Sequence, residues 1–321
     1  MKCRVCGEPA VISLKAYSTA LCAPHFISFL EKRTLNTINK YRLIENGEKP
    51  IVAVSGGKDS LSVWFMLNKL GYAADGVYIN LGIENYSDIS FAKIEKMADL
   101  LMKKVYSFDI KRLSDKGIDG LAKILKRVPC SACGMIKRYV MNRVCIEYGY
   151  TTLVTGHNID DEASALFGNV LYWKEEYLGK KNVVLEARHG HLSKKVKPFF
   201  LCSERDIAAY AILNNIDYIR EECPFSVGAK TLIYKDMLNR LEQLSPGTKI
   251  QFVKGYLKSF IKNRQEDIKN TENFCSKCGY PTYGSICNMC RVLERLNIGE
   301  GHICFDEYDP SVLDTTERLM T

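Results

Sequence analysis

Two kinds of residue cluster in this chain are suited to chemistry: a glycine turn that can hold phosphate and closely spaced cysteines that can hold metal. The turn is Ser55-Gly56-Gly57-Lys58-Asp59-Ser60. Paired glycines let backbone N–H groups converge without Cβ obstruction, and a helix starting behind them adds its partial positive charge. The plain alternative is a tight connection between a strand and a helix. The familiar phosphate loop Gly-x-x-x-x-Gly-Lys-Ser/Thr fails at both ends, with Val52 where its first glycine belongs and Asp59 where its hydroxyl residue belongs.

Cys3-x-x-Cys6 precedes Cys22-x-x-His25, and Cys275-x-x-Cys278 precedes Cys287-x-x-Cys290. A two-residue spacer lets one tight turn aim both ligands at one ion, and two such turns complete a tetrahedron around zinc. A closed shell leaves no position for substrate. Both quartets therefore read as structural Zn2+ sites, two ions in all, whose binding energy folds segments too small to hold a core alone. Free buried cysteines are the bland alternative, and scaffolding is as open to these ribbons as contact with nucleic acid.

Between the ribbons lie Cys130-Ser131-Ala132-Cys133 and, much later, Cys223. Three thiolates without an evident fourth suit an iron-sulfur cluster whose remaining iron stays open to a ligand such as hydrosulfide. Two other readings stay open: a Cys130–Cys133 redox pair with Cys223 as persulfide carrier, or three buried apolar residues. Cys145, Cys202 and Cys304 lack paired spacing and are expected to be buried. Lys137 follows Cys130 by seven residues and Cys133 by four. A helix here carries all three on one face, beside the cluster or the nucleotide, unless the lysine is merely solvated.

These residues need elements to position them. Ile51-Val52-Ala53-Val54 reads as a buried strand running into the glycine turn, and Leu61, Val63, Trp64, Leu67 and Leu70 as the helix after it. Residues 76–81 and 104–108 read as further strands, with a helix over 88–102 between them. Thr151-Thr152-Leu153-Val154-Thr155-Gly156 is another buried strand, followed by His157-Asn158-Ile159-Asp160-Asp161-Glu162-Ala163 as loop and helix start. Strands alternating with helices argue for an α/β fold with a doubly wound parallel sheet, whose strand ends meet at one ligand-binding edge. There Gly156 lets a base or ribose approach the backbone, and Asp160 and Asp161 either coordinate Mg2+ or cap their helix; Asp160 is left to capping. Residues 174–195 are polar and aperiodic, and are expected to be a mobile insertion. Val196-Lys197-Pro198-Phe199 resumes the pattern, and Ser203-Glu204-Arg205 starts the next helix with a cap. The organisation expected is an N-terminal zinc finger over 1–30, a catalytic domain over 31–265 with a linking helix over 31–48, and a C-terminal zinc finger and tail over 266–321.

At 321 residues the chain is long enough for a large core with smaller attachments. Its net charge is +8, and its basic runs are Lys137-Arg138-Tyr139 with Arg143, Lys194-Lys195-Val196-Lys197, and Lys254 through Lys258, Lys262 and Arg264. They interleave with Tyr139, Tyr256 and Phe260, which suits a phosphate backbone with accessible bases, although most lysine runs are solvated faces. No stretch approaches about 18 consecutive apolar residues, so no membrane span is expected, and Met1-Lys2-Cys3-Arg4 leads into ligand spacing rather than an apolar signal core. The expected compartment is the cytoplasm, where thirteen cysteines in short-spaced pairs favour metals over disulfides.

The Ser-Gly-Gly-x-Asp-Ser arrangement resembles the pyrophosphatase loop of enzymes that cleave ATP between its α and β phosphates and transfer AMP to a carbonyl oxygen. Further motifs join it: Cys130-Ser131-Ala132-Cys133-Gly134 with Lys137-Arg138-Tyr139, the run Thr155 to Ala163, Phe167-Gly168-Asn169, Glu222-Cys223-Pro224 and both ribbons. Together they make essentially the whole chain similar to the TtcA/TtuA family of tRNA 2-thiolation enzymes. Gly228-Ala229-Lys230 and Ser245-Pro246-Gly247-Thr248-Lys249 resemble the TtuA branch, which thiolates the T-loop 5-methyluridine; wobble-uridine thiolases are the near neighbours.

The resemblance implies a PP-loop ATP pyrophosphatase domain between the ribbons. ATP, with Mg2+, would be held by Ala53, Val54, Ser55, Gly56, Gly57, Lys58, Asp59, Ser60, Ile79, Lys137 and Gly156. A 4Fe-4S cluster would sit on Cys130, Cys133 and Cys223 with sulfide on its unique iron, and Lys137 and Asp161 would have catalytic or nucleotide-contacting roles. Sulfur would come from the C-terminal thiocarboxylate of a ubiquitin-like carrier protein or from sulfide, the substrate would be tRNA, and a homodimer is typical. The activity implied is adenylation of a uridine C2 carbonyl and its displacement by sulfur. Other classes remain as alternatives: a zinc-stabilised tRNA-binding module without turnover, or an adenylating amidotransferase or lysidine-type ligase.

Overall fold

Apolar side chains in the central strands alternate between two faces, and that alternation sorts the helices into layers. The computed structural model describes residues 1–180, 182–188, 190–226, 230–261 and 273–312. A hairpin of β1 (Ile12–Leu14) and β2 (Thr19–Leu21) leads to Cys22, the N-cap residue of α1 (Ala23–Tyr41). Next come β3 (Pro50–Val54), α2 (Lys58–Lys69), β4 (Asp75–Asn80), α3 (Tyr86–Leu101) and β5 (Val105–Asp109). They are followed by α4 (Gly117–Ile124), α5 (Pro129–Glu147), β6 (Thr152–Thr155) and α6 (Ile159–Leu171). After α7 (Glu175–Lys180), β7 (Val184–Leu185), β8 (Lys194–Val196) and α8 (Glu204–Leu213), the helices α9 (Lys230–Leu244) and α10 (Thr248–Tyr256) pack on α6. The last described part holds β9 (Asn273–Phe274), β10 (Pro281–Thr282), α11 (Asn288–Leu296) and β11 (Asp306–Tyr308).

The main sheet has seven strands in the order β11-β5-β4-β3-β6-β8-β7, of which β5, β4, β3, β6 and β8 pair in parallel. Ile51, Val77 and Leu153 pack with Ile118 of α4, Ile136 of α5 and Val292 of α11. Their neighbours Val52, Tyr78 and Val154 pack with Leu30 of α1, Trp64 of α2 and Ile207 of α8. The order reverses between β3 and β6, which are adjacent although far apart in sequence, and a crevice opens at their C-terminal ends.

Three features differ from what the sequence suggested. Both edges of the sheet are antiparallel, β11 on β5 and β7 on β8, because a returning tail or hairpin reaches an edge without the long crossover that a parallel strand requires. The supposed insertion over 174–195 contains α7, β7 and β8, with residues 181 and 189 outside the described residues; strands of two and three residues are too brief to show a period. The expected boundary after residue 30 falls inside α1, whose Phe26, Leu30 and Ile38 join the ribbon's Cys3, Ile12, Leu14 and Leu21 to the core of the sheet. The boundary expected at 265/266 lies outside the described residues. Among the described residues no helix is long and apolar enough to cross a membrane.

Gly156 floors the crevice: a Cβ built on it would stand 2.9 Å from the backbone of Asp59 and Ser60 at the start of α2. Gly156→Ala therefore pushes that turn outward at a cost of about 1–3 kcal/mol. The expected reading is a lower thermal unfolding midpoint with unchanged secondary-structure content, and an unchanged midpoint would contradict the packing described.

Candidate active site

At the C-terminal end of β3 the chain turns through Ser55, Gly56 and Gly57 into α2. Gly56 has φ +74°, and a Cβ there would lie 2.7 Å from the carbonyl oxygen of Ser90, so glycine alone fits. The turn is tied to itself, with Ser60 Oγ accepting the Ser55 N–H at 3.1 Å and donating to Gly57 O at 3.0 Å. Gly57 stands at the N-cap position, so the first N–H groups of α2 have no partners within the helix and make the turn an anion cradle.

A cavity of about 430 Å3 opens here, lined by Ala53, Val54, Ser55, Asp59, Ser60 and Ile79 and also by Cys133, Lys137, Gly156, Asp161 and Cys223. Lys58 pairs with Glu204 at 2.7 Å and with Asp59 at 3.1 Å. Cys133 and Lys137 lie a turn apart on α5; Cys130, one turn earlier, is exposed and donates from Sγ to Phe225 O at 3.1 Å, two residues beyond Cys223. Burial pushes the Cys133 thiol up; Lys137 pulls it down, and Cys223 and Cys130 push it up again.

The two ligand quartets, Cys3, Cys6, Cys22, His25 and Cys275, Cys278, Cys287, Cys290, each gather within 4.8 Å, as a single ion demands, whereas the trio forms no such group among the described residues. A wider spread suits ligands on different irons of a cluster, and the exposure of Cys130 with the half-burial of Cys133 and Cys223 excludes plain core cysteines. In the quartets Cys6 Sγ lies 3.7 Å from Cys22 Sγ, and Cys278 Sγ 3.6 Å from Cys287 Sγ. Burial alone would raise the Cys3 and Cys275 thiols, yet backbone donors hold each down to about 6, while burial and the neighbouring thiols push Cys287 and Cys290 up. Cys145 and Cys202 are buried, and burial pushes both up to about 11. Cys304, expected to be buried too, is exposed: it precedes the edge strand β11, where Arg112 Nη1 lies 2.9 Å from its sulfur.

The two aspartates divide their roles differently from expectation. Asp160 does not cap its own helix; it is buried, accepts from Lys249 Nζ, and takes the Glu204 N–H at 2.8 Å, so it fixes the start of α8 and does not line this cavity. Asp161 belongs to the capping box, its Oδ2 accepting the Asn158 N–H at 3.2 Å, while its Oδ1 meets Lys235 Nζ at 2.6 Å on the cavity wall. Asp59, in the same cavity, keeps Oδ1 buried without a hydrogen bond, and burial pushes its carboxyl up to about 6 against the pull of Lys58. An orphaned carboxylate oxygen sharing a cavity with a second carboxylate fits Mg2+ entering with a phosphate ligand.

Several residues that no motif singled out complete the site. Tyr86, His157 and Lys195 stand on its walls, and ion pairs run from Asp161 through Lys235 and Glu204 to Lys58. No local spacing marks Lys235 or Glu204, since only folding brings α9 and α8 to the glycine turn. His157 is kept neutral by burial and by Lys197, with Nδ1 2.9 Å from Thr155 Oγ1. The basic runs are partly spent inside the fold: Lys194 pairs with Glu48 and Lys197 with Glu162. Tyr139 and Tyr256, expected to be free for bases, lie on the inner faces of their helices and are buried; the exposed rings include Tyr172, Trp173, Tyr177 and Tyr283 instead. Lys262, Arg264, Gly228 and Ala229 lie outside the described residues, as does the Phe260 side chain.

Residues 2–27 match the family model described as 2-thiouridine synthetase TtuA, N-terminal LIM domain. Over 292 residues, 91% of this chain, the sequence is 41% identical to the tRNA-5-methyluridine(54) 2-sulfurtransferase of Thermus thermophilus and covers 91% of it. It is 42% identical over 292 residues to the protein of that name from Pyrococcus horikoshii, covering 91% of this chain and 93% of that one. Among solved structures, the U34-tRNA thiolase NcsA from Methanococcus maripaludis with its 4Fe-4S cluster superposes with a TM-score of 0.79 at 28% identity, covering 94% of this chain and 98% of that one.

Asp59→Asn removes a carboxylate whose charge the fold resists. Because its folded value is raised, the stability it confers is fully present below its unfolded value of 3.8 and is lost as pH rises through about 6. The variant is expected to outlast the parent chain by a margin that opens near pH 4 and grows to at most about 3 kcal/mol as pH passes about 6, and to bind ATP less tightly in the presence of Mg2+. Thermal unfolding across that range and equilibrium dialysis check both effects; a margin independent of pH rules out the buried charge as its cause.

Proposed function

This chain belongs to the tRNA 2-sulfurtransferase family, and from that membership we propose that it uses ATP to exchange the C2 oxygen of a tRNA uridine for sulfur. The observation that carries the reading is that Cys133 and Cys223 line the same cavity as the glycine turn. A uracil carbonyl oxygen is a poor leaving group. Its attack on the α-phosphate of ATP releases pyrophosphate and turns it into a phosphate ester; sulfide then attacks C2 and AMP departs. Uridine, ATP and hydrosulfide thus become thiouridine, AMP and pyrophosphate.

In this scheme Ser55, Gly56, Gly57, Ser60 and the first turn of α2 cradle the phosphates that leave, with Lys58 beside them. Asp59 and Asp161 are the candidates to hold Mg2+, and Lys137 stabilises the charge that develops at the α-phosphate. Ala53, Val54, Ile79 and Gly156 wall the adenosine. A 4Fe-4S cluster on Cys130, Cys133 and Cys223 would supply an iron position open to sulfide. Zn2+ in the two quartets would be structural. The sulfur donor, sulfide or the thiocarboxylate of a ubiquitin-like carrier, and a homodimeric unit rest on family membership alone. Position 54 is the favoured target because the relatives named for it are 40% to 42% identical, against 28% for the U34 thiolase.

Anaerobically reconstituted protein, given tRNA, ATP, Mg2+ and sulfide, is expected to form a 2-thiolated 5-methyluridine with one pyrophosphate released per sulfur incorporated. Mapping the nucleoside on digested tRNA distinguishes position 54 from 34. Cys223→Ala should keep ATP binding and lose thiolation to background together with its iron; equal product from this variant refutes the cluster role.

A further inference from the structure

Lys195 stands in β8 with its side chain on the wall of the catalytic cavity. Among the described residues its ammonium forms no hydrogen bond or ion pair, whereas Lys194 and Lys197 are each paired with a glutamate. Its surroundings repel it: Lys197 and Arg138 act against its charge, and Glu162, already engaged by Lys197, offsets them only in part. Burial first and these cations second bring its pKa down to about 8. Holding an unpaired, half-buried cation among cations is costly, and an incoming anion offsets that cost. The register also gives a direction. Lys195 lies opposite Leu153, and the strand order β4, β3, β6, β8 puts it at the other end of the cavity from Ile79.

We propose that Lys195 is a phosphate-binding residue of the catalytic cavity, aimed at an incoming substrate phosphate from the side opposite the adenosine wall. Two sources carry that chemistry, ATP and the RNA backbone beside the reacting uridine, and the position at β8 favours the RNA. The inference rests on the cavity being the site of nucleotide and tRNA.

Lys195→Met and Lys195→Arg, each compared with the parent holoprotein, test it by equilibrium dialysis with ATP, filter binding of tRNA at several salt concentrations, and thermal unfolding. The methionine variant is expected to bind one of the two ligands at least about ten-fold more weakly, with a thermal midpoint equal to or above that of the parent. Weaker tRNA binding with a salt dependence shallower by about one ion assigns the RNA backbone, and weaker ATP binding alone assigns the nucleotide. The arginine variant restores either. Unchanged affinity for both ligands overturns the proposal, and so does a lowered midpoint with losses that arginine does not restore, the mark of a structural lysine. Should the parent bind neither ligand, the reading of the cavity falls first and takes this inference with it.

Discussion

The site depends on how closely backbones meet where β3 and β6 lie side by side. Gly56 passes the carbonyl of Ser90 at the start of α3, and Gly156 passes the first turn of α2, each at a distance that excludes a Cβ. These contacts draw α2 and α3 against the strand ends. The turn proposed as the phosphate cradle is therefore built from backbone, which would leave contacts with metal, nucleobase and sulfur to the side chains around it. Its geometry does not rely on long side chains finding one rotamer.

Charge is the second theme, and the fold does not balance it locally. Asp59 keeps a buried oxygen without a partner, and Lys195 keeps an ammonium without one among the described residues. In contrast, Asp160 and Lys249 pair in the interior, and Asp160 fixes the start of α8. Around the cavity Lys235 and Glu204 link Asp161 to Lys58, so that helices α2, α6, α8 and α9 share one chain of ion pairs. A charged ligand entering this cavity meets groups already paid for in stability, which is the usual compromise at a working site.

The ribbons are supports for that cavity rather than appendages. Cys22 starts α1, and α1 joins the ribbon to one face of the sheet. At the other end Cys287, Cys290, Val292 and Leu293 share a core with Ile136 and Val140 of α5, the helix that carries Cys130, Cys133 and Lys137. The tail then returns as β11 to cover β5. A metal ion in either quartet would thus hold an element on which the site rests.

Much of this was legible in the residues themselves. Ser55 to Ser60 after a buried strand announced a glycine turn into a helix, the paired spacings of Cys3, Cys6, Cys22, His25 and Cys275, Cys278, Cys287, Cys290 announced two groups of four converging ligands, and alternating apolar runs announced a parallel α/β sheet. Those signals are local: a turn, a ligand pair and a strand period are each written within a few residues. Tertiary structure alone decided which of two adjacent aspartates reaches the cavity, that Tyr139 and Tyr256 turn inward, that Cys304 stays exposed, and that Lys195, Glu204 and Lys235 gather near the glycine turn. Such outcomes depend on which helix face meets the sheet and on partners a hundred residues away, and no spacing within one segment encodes them.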